Sequence, residues 1–137
     1  MATKLKEKPE VLIFSVYQSD RQDTDNQDNH QTVVNRLSQL DISHKVLNGR
    51  YQGIDEKSIL VKMDQLDTVQ ALCKQFNQES YLHLDKDRVA SLRFTEGRIE
   101  KIGNLEAVSK TKALKSDAYT FDPMSNTYFI VNNIKNN

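Results

Sequence analysis

The stretch SYLHLDKDRVASLRFTEGRIEKI, residues 80–102, decides the fold class. Residues 80–84 and 89–95 are short runs rich in β-branched and aromatic side chains, separated only by Asp85, Lys86, Asp87 and Arg88. A link of that length joins antiparallel neighbours in a hairpin, whereas parallel strands need a crossover of a dozen residues or more. Glu96 and Gly97 then turn the chain into a further strand near residues 98–102. A last hairpin is expected from 119–121 and 128–131, with its turn at 123–126.

Toward the N-terminus the pattern changes period. Val69, Leu72, Cys73 and Phe76 recur at i, i+3, i+4 and i+7, which marks an amphipathic helix. Asp67 can cap it and Gln70 completes a capping-box pattern. An earlier helix is expected from about His30 to Leu40, with Val33, Val34, Leu37 and Leu40 on one face and Asp28 or Asn29 at its start. Residues 11–17, 45–47 and 58–63 read as strands. Residues 18–29 carry four aspartates and two asparagines and read as a mobile surface loop. Residues 105–116 are ambiguous between loop and short helix. The expectation is therefore an α+β domain: an antiparallel or mixed β-sheet of six or seven strands with two helices packed on one face. Residues 1–10 are expected to form a flexible leader, 11–132 the single domain and 133–137 a tail.

At 137 residues the chain can bury one core. Its 19 basic and 19 acidic side chains cancel, which argues against a general nucleic-acid or membrane-surface binder. The longest apolar run, residues 11–16, is far too short to span a bilayer, and no signal peptide is visible. Cys73 is the only cysteine, which excludes an internal disulfide and fits a cytoplasmic location.

Catalytic signatures built on GxSxG, HExxH, CxxC or a phosphate-binding glycine loop are absent. No convincing metal-ligand spacing appears, and the aspartates of 18–29 lack the glycine and closing glutamate of a calcium loop. Cys73 sits on an apolar stripe, where a core role outweighs a nucleophilic one. Three segments remain. The helix start at residues 28–32 offers free N–H groups for an anion, or ordinary capping. Residues 49–58 place Tyr51 between two glycines and an acid pair, Asp55 and Glu56, before a strand; a solvated loop is the plain alternative. Phe76, Asn77, Gln78 and Glu79 end the second helix, where an acid is disfavoured by about a few tenths of a kcal/mol unless a cation offsets it. An aromatic ring there adds a cation–π surface. Any chemistry is expected where residues 49–56 meet residues 76–79.

In this order the segments resemble the phage-encoded S-adenosylmethionine lyases, long called SAM hydrolases. The resemblance runs through most of the chain from Val11 onward: an apolar strand ending in Ser15-Val16-Tyr17, a polar loop and helix, Gly49-Arg50-Tyr51, then Glu56-Lys57-Ser58 before a strand. A helix ending in Phe76-Asn77-Gln78-Glu79 and a closing aromatic hairpin complete it. No motif is specific alone; the order and spacing carry the likeness. The resemblance implies a carbon–sulfur lyase that splits S-adenosylmethionine into 5′-methylthioadenosine and homoserine lactone, using neither metal nor cofactor. It also implies a homotrimer with active sites between subunits. Tyr51 and Glu56 would lie near the sulfonium and methionine portion, Phe76 would pack on adenine, and Gln78 and Glu79 would hold polar groups of the substrate. The residues alone leave open a non-enzymatic small-ligand or protein-binding domain, or an interaction protein assembling through a sheet face.

Overall fold

The computed structural model describes residues 8–51 and 53–133. Most of the expected leader, and the tail beyond residue 133, lie outside the described residues. The elements run β1 (Val11–Phe14), α1 (Asp23–Gln39), β2 (Lys45–Tyr51), β3 (Ile54–Lys62), a 3-10 turn (Met63–Gln65), α2 (Leu66–Gln75), β4 (Ser80–Leu84), β5 (Val89–Phe94), β6 (Ile99–Val108), α3 (Lys110–Leu114), β7 (Ala118–Asp122) and β8 (Thr127–Asn133).

The strands close into a barrel in the order β1-β3-β2-β7-β8-β6-β5-β4, every neighbouring pair antiparallel. This corrects the expectation of an antiparallel or mixed sheet with two helices on one face: eight strands leave no open edge, and a third short helix follows β6. Closure depends on β1, which pairs with β3 through Leu12↔Val61 and with β4 through Leu12↔His83. A register shift at Ala90/Ser91 skips Ile102, a bulge of the kind that lets a sheet curl.

Alternation along the strands serves two cores. Val11, Ile13, Leu60, Leu82, Leu84, Ala90, Leu105 and Val131 pack together inside the barrel. Leu12, Phe14, Ile59, Val61 and Tyr81 point the other way, where they meet Val33 and Leu37 of α1 and Val69, Leu72 and Cys73 of α2. Both helices therefore lie against the outside of the wall formed by β3, β1 and β4.

Residues 18–29 are the main local misreading. Helix α1 starts at Asp23, and its buried stripe is Asn26, His30, Val33 and Leu37. The spacing is helical, but its first half is polar. Asn26 is satisfied by reciprocal bonds with the Gln18 main chain: Gln18 N–H donates to Oδ1, and Nδ2 donates to the Gln18 carbonyl, both at 2.9 Å. Asp23 and Asp25 in the first turn favour the positive end of the helix dipole. Residues 28–32 consequently lie inside the helix, so no anion site of free N–H groups exists there. Helix α2 likewise starts earlier than expected, with Gln65 before it and no side-chain cap from Asp67.

Both long helices end in the same way. Asp41 and Asn77 adopt φ of 55° and 58°. Ile42 N–H then reaches the Leu37 carbonyl at 2.9 Å, and Gln78 N–H reaches the Cys73 carbonyl at 2.8 Å. These are Schellman ends, and the second fixes where residues 76–79 leave α2.

At the end of the barrel away from those residues, Lys45 Nζ contacts Asp122 Oδ2 at 2.8 Å, joining β2 to β7 beyond their ladder. Asp122 is buried, and its Oδ1 also accepts the Met124 N–H of the β7–β8 turn. Burial pushes the Asp122 carboxyl up, but hydrogen bonds from Lys45, Ser125 and Met124 outweigh it and hold the carboxyl below its ordinary value. Asp122→Ala should therefore destabilise the fold by about 1–3 kcal/mol near neutral pH, with the partial exposure of Lys45 keeping the loss toward the lower figure. Urea unfolding should show the penalty shrinking as pH falls below about 3.9, where the unfolded carboxyl takes up a proton that the folded one still resists.

Candidate active site

The β2–β3 and β5–β6 hairpin tips, the exit of β1 and the chain between α2 and β4 all lie at one end of the barrel. Both expected site segments are therefore at that end, separated by the exit of β1. Residues 15–18 bridge them. Ser15 Oγ donates to the Lys57 carbonyl at 2.9 Å, on the β3 side. Gln18 Nε2 donates to the carbonyls of Phe76 and Asn77 at 2.8 and 2.9 Å, on the α2 side. Gln78 Nε2 donates back to the Tyr17 carbonyl at 2.8 Å.

Glu56 lies within β3, which begins at Ile54 instead of near residue 58 as expected. It pairs with Gly49, while Tyr51 pairs with Ile54, so all four share one face of the hairpin. Tyr51 and Glu56 are diagonal neighbours, about 7–8 Å apart at Cα. A Cβ at position 49 would stand 3.3 Å from the Glu56 carbonyl, so glycine there lets β2 run close behind the acid. Tyr51 and Ile54 at the tip are 60% and 55% exposed.

The Glu56 side chain keeps an open solvent side but has protein packed around the rest. Burial pushes its carboxyl above the ordinary value, opposed by interaction with the Ser15 hydroxyl. That hydroxyl has one proton, and its 2.9 Å bond assigns the proton to the Lys57 carbonyl, which leaves the raising effect of burial dominant.

Phe76 is half-buried at the end of α2 and packs against the helix-side core. With Arg21, Asp25, Asp28 and Asn29 it lines an open depression of about 530 Å³ between α1 and α2. Gln78 is committed through one amide hydrogen-bond donor to the Tyr17 main chain. Glu79 is exposed, and its carbonyl accepts the Thr95 N–H at 2.9 Å, tying this segment to the β5–β6 turn.

Two residues without an assigned role, Tyr17 and His30, also gather here. Tyr17 stands edge-on to His30, with ring centroids 6.0 Å apart at 71°. Burial, then Asp23 and Glu56, raise the Tyr17 hydroxyl above its ordinary value, so it stays protonated. His30 is buried with Nδ1 lacking a protein partner; burial, Lys57 and His44 lower its pKa and keep it neutral. The i, i+4, i+7, i+11 spacing of Asn26, His30, Val33 and Leu37 was the available signal for placing His30 here.

Among the described residues, no group of three or more His, Cys, Asp or Glu is placed to hold a metal ion. Burial pushes the Cys73 thiol up to about 11, which makes it a poor nucleophile at neutral pH. The arrangement instead offers carboxylates and aromatic rings, suited to holding an organic cation.

The S-Adenosylmethionine lyase family model matches residues 12–132, most of the chain. The protein belongs to that family. No curated protein matches the chain. Family membership implies a lyase acting on S-adenosylmethionine, a sulfonium compound, and the acid and aromatic groups at this end of the barrel suit that charge. No helix among the described residues is long and apolar enough to cross a membrane.

Because folded His30 resists protonation while the unfolded imidazole accepts it near pH 6.5, its contribution to stability is present above that pH and lost as pH falls through it. Thermal unfolding of His30→Phe should show a shallower decline in Tm between pH 7.5 and 5 than the native protein. Equal slopes would mean that His30 titrates normally in the fold.

Proposed function

We propose that this lyase splits S-adenosylmethionine into 5′-methylthioadenosine and L-homoserine lactone by intramolecular attack, at the end of the barrel that carries Glu56. The observation that carries the reading is Glu56 itself: a solvent-accessible acid on β3 beside residues 15–18, in a chain whose family acts on a cationic substrate. The substrate carboxylate attacks its own γ-carbon, forming the C–O bond. The C–S bond breaks, and sulfur keeps its electron pair and leaves as a neutral thioether. Atoms and charge balance without a protein nucleophile, general base or cofactor.

Positive sulfur and negative carboxylate neutralise each other in this transition state. Folding the methionine chain into attack geometry therefore helps, as does removing water that stabilises the separated charges. A protein carboxylate beside the sulfonium stabilises bound substrate at least as much as the transition state, so Glu56 binds and positions. Tyr51 lies on the same hairpin face and assists at the sulfonium and methionine end. Phe76 packs on adenine at its depression, with Gln78 and Glu79 holding polar groups of the substrate.

A dry site at this end needs a cover. Tyr51, Ile54 and Ile99, the last 60% exposed, are large apolar side chains at its two hairpin tips. Their exposure supports a homotrimer in which a neighbouring subunit closes the site. The protein needs no nucleic-acid or membrane partner. Encoded by a bacteriophage and acting in the host cytoplasm, it would deplete the methyl donor and blunt S-adenosylmethionine-dependent restriction.

Incubation with S-adenosylmethionine should release methylthioadenosine, with the lactone preceding homoserine at early times. Homoserine appearing first would mean hydrolysis, and no product would remove the reading. Light scattering after size exclusion should give a trimer mass; a fully active monomer would contradict the shared site.

Glu56→Gln should weaken substrate binding and raise KM more than it lowers kcat. Abolished turnover at saturation with binding intact would make Glu56 a chemical participant. The same variant should raise Tm at pH 8, because ionising a carboxyl whose folded pKa is raised costs stability above that value. The gain should vanish as pH falls below about 4.3, where the acid is protonated in both states.

A further inference from the structure

Tyr17 is fixed more completely than a half-buried residue at a strand exit requires. Its N–H donates to Ser15 Oγ at 3.1 Å, and its carbonyl accepts Gln78 Nε2 at 2.8 Å. Side chains therefore satisfy both of its main-chain polar groups. Its ring is braced by His30 from α1. Asp23 at the first turn of α1 and Glu56 on β3 both act on its hydroxyl. Ser15, two residues before Tyr17, is bonded to the Lys57 carbonyl of β3, and Gln18, one residue after it, is bonded to Asn26 of α1. Tyr17 thus lies where the chain passes from its contact with β3 to the start of α1, and Gln78 couples it to the segment that carries Phe76.

An aromatic ring braced near two carboxylates has a specific use. Its π face attracts a cation without adding a charge that must be desolvated, and the acids offset the nearby positive charges of Arg21, which reaches the Val16 carbonyl at 3.5 Å, and of Lys57, which acts on His30. The neutral imidazole supports the ring without placing a positive charge behind it. Neither a neutral thioether nor a neutral sulfide gains the same attraction.

We propose that Tyr17 determines the site's selectivity for positive charge, its ring forming with Asp23 and Glu56 the wall that meets the sulfonium. The inference rests on the S-adenosylmethionine reading and adds a specificity residue to it. It also gives the product a reason to leave: conversion of the sulfonium to a thioether ends the attraction while the rest of the adenosyl group is unchanged.

The test compares two unreactive ligands with one skeleton, S-adenosylhomocysteine, which carries a neutral sulfide, and its analogue with a protonated amine at the sulfur position. Calorimetry gives the affinity ratio for the native protein, Tyr17→Phe and Tyr17→Leu. The native protein should prefer the cation. Tyr17→Phe should retain that preference, and Tyr17→Leu should reduce it by about tenfold, with KM for S-adenosylmethionine rising more than kcat falls. Tyr17→Met, unbranched and without a ring, should behave as the leucine variant and replaces it if circular dichroism shows that Tyr17→Leu is unfolded. A preference that survives loss of the ring, or one lost equally in Tyr17→Phe, overturns the role of the ring. Native protein that binds neither ligand nor S-adenosylmethionine overturns the substrate reading itself, and the role of Tyr17 with it.

Discussion

The four residues of β1 carry a double obligation on which the rest of the molecule depends. Val11 and Ile13 face the barrel interior, Leu12 and Phe14 face the helices, and the main chain pairs on both sides. Without this strand, β3 and β4 would be open edges and the two helices would lose the centre of the wall they cover. Leu12, fully buried, contributes about 1.5–3 kcal/mol by burial alone, and its neighbours add comparable amounts. The site grows directly from this strand, because residues 15–18 continue it and carry the hydrogen bonds that join β3 to the end of α2.

The end of the barrel is organised by side-chain amides and hydroxyls that bind main-chain groups. Ser15, Gln18, Asn26 and Gln78 each place a polar side chain on a backbone partner from a different part of the chain. Such bonds add little net stability individually, about 1 kcal/mol each, but leaving one unmade in a half-buried setting costs more. They fix direction: the exit of β1, the start of α1 and the end of α2 cannot slide past one another without orphaning a carbonyl or an amide. Glu56 and Tyr17 are held against that frame.

Hairpins and the second helix were legible because their signals are local. The 80–84 and 89–95 runs, Gly97 and the stripe from Val69 to Phe76 all appear as β5, its neighbours and α2. Closure was not legible, since it depends on which distant strands β1 joins, and a run of four apolar residues does not encode two partners. The start of α1 was missed because Asn26 and His30 occupy buried positions that a hydrophobic pattern leaves blank. At the candidate site, Glu56 and Phe76 stood out as an acid before a strand and a ring at a helix end, but only the family resemblance lifted them above a solvated loop and a frayed helix end. Tyr17 was not singled out from the residues, because the long-range bonds from Ser15 and Gln78 that fix it have no sequence period, and Asp23 and His30 were missed with the polar first half of α1.

The bridge formed by residues 15–18 also limits how the protein can change over generations. Many enzymes gain new specificity through loops whose alteration leaves the scaffold intact. Here the segment nearest the two acids is an extension of the strand that shuts the barrel, so a substitution that reshapes the pocket also loads the closure. Variation is tolerated more readily at the solvent-facing positions in the second half of α1 and along α2, which lie outside both cores. A lineage of such proteins should therefore diversify on the outer helix surfaces while the wall behind them stays nearly fixed.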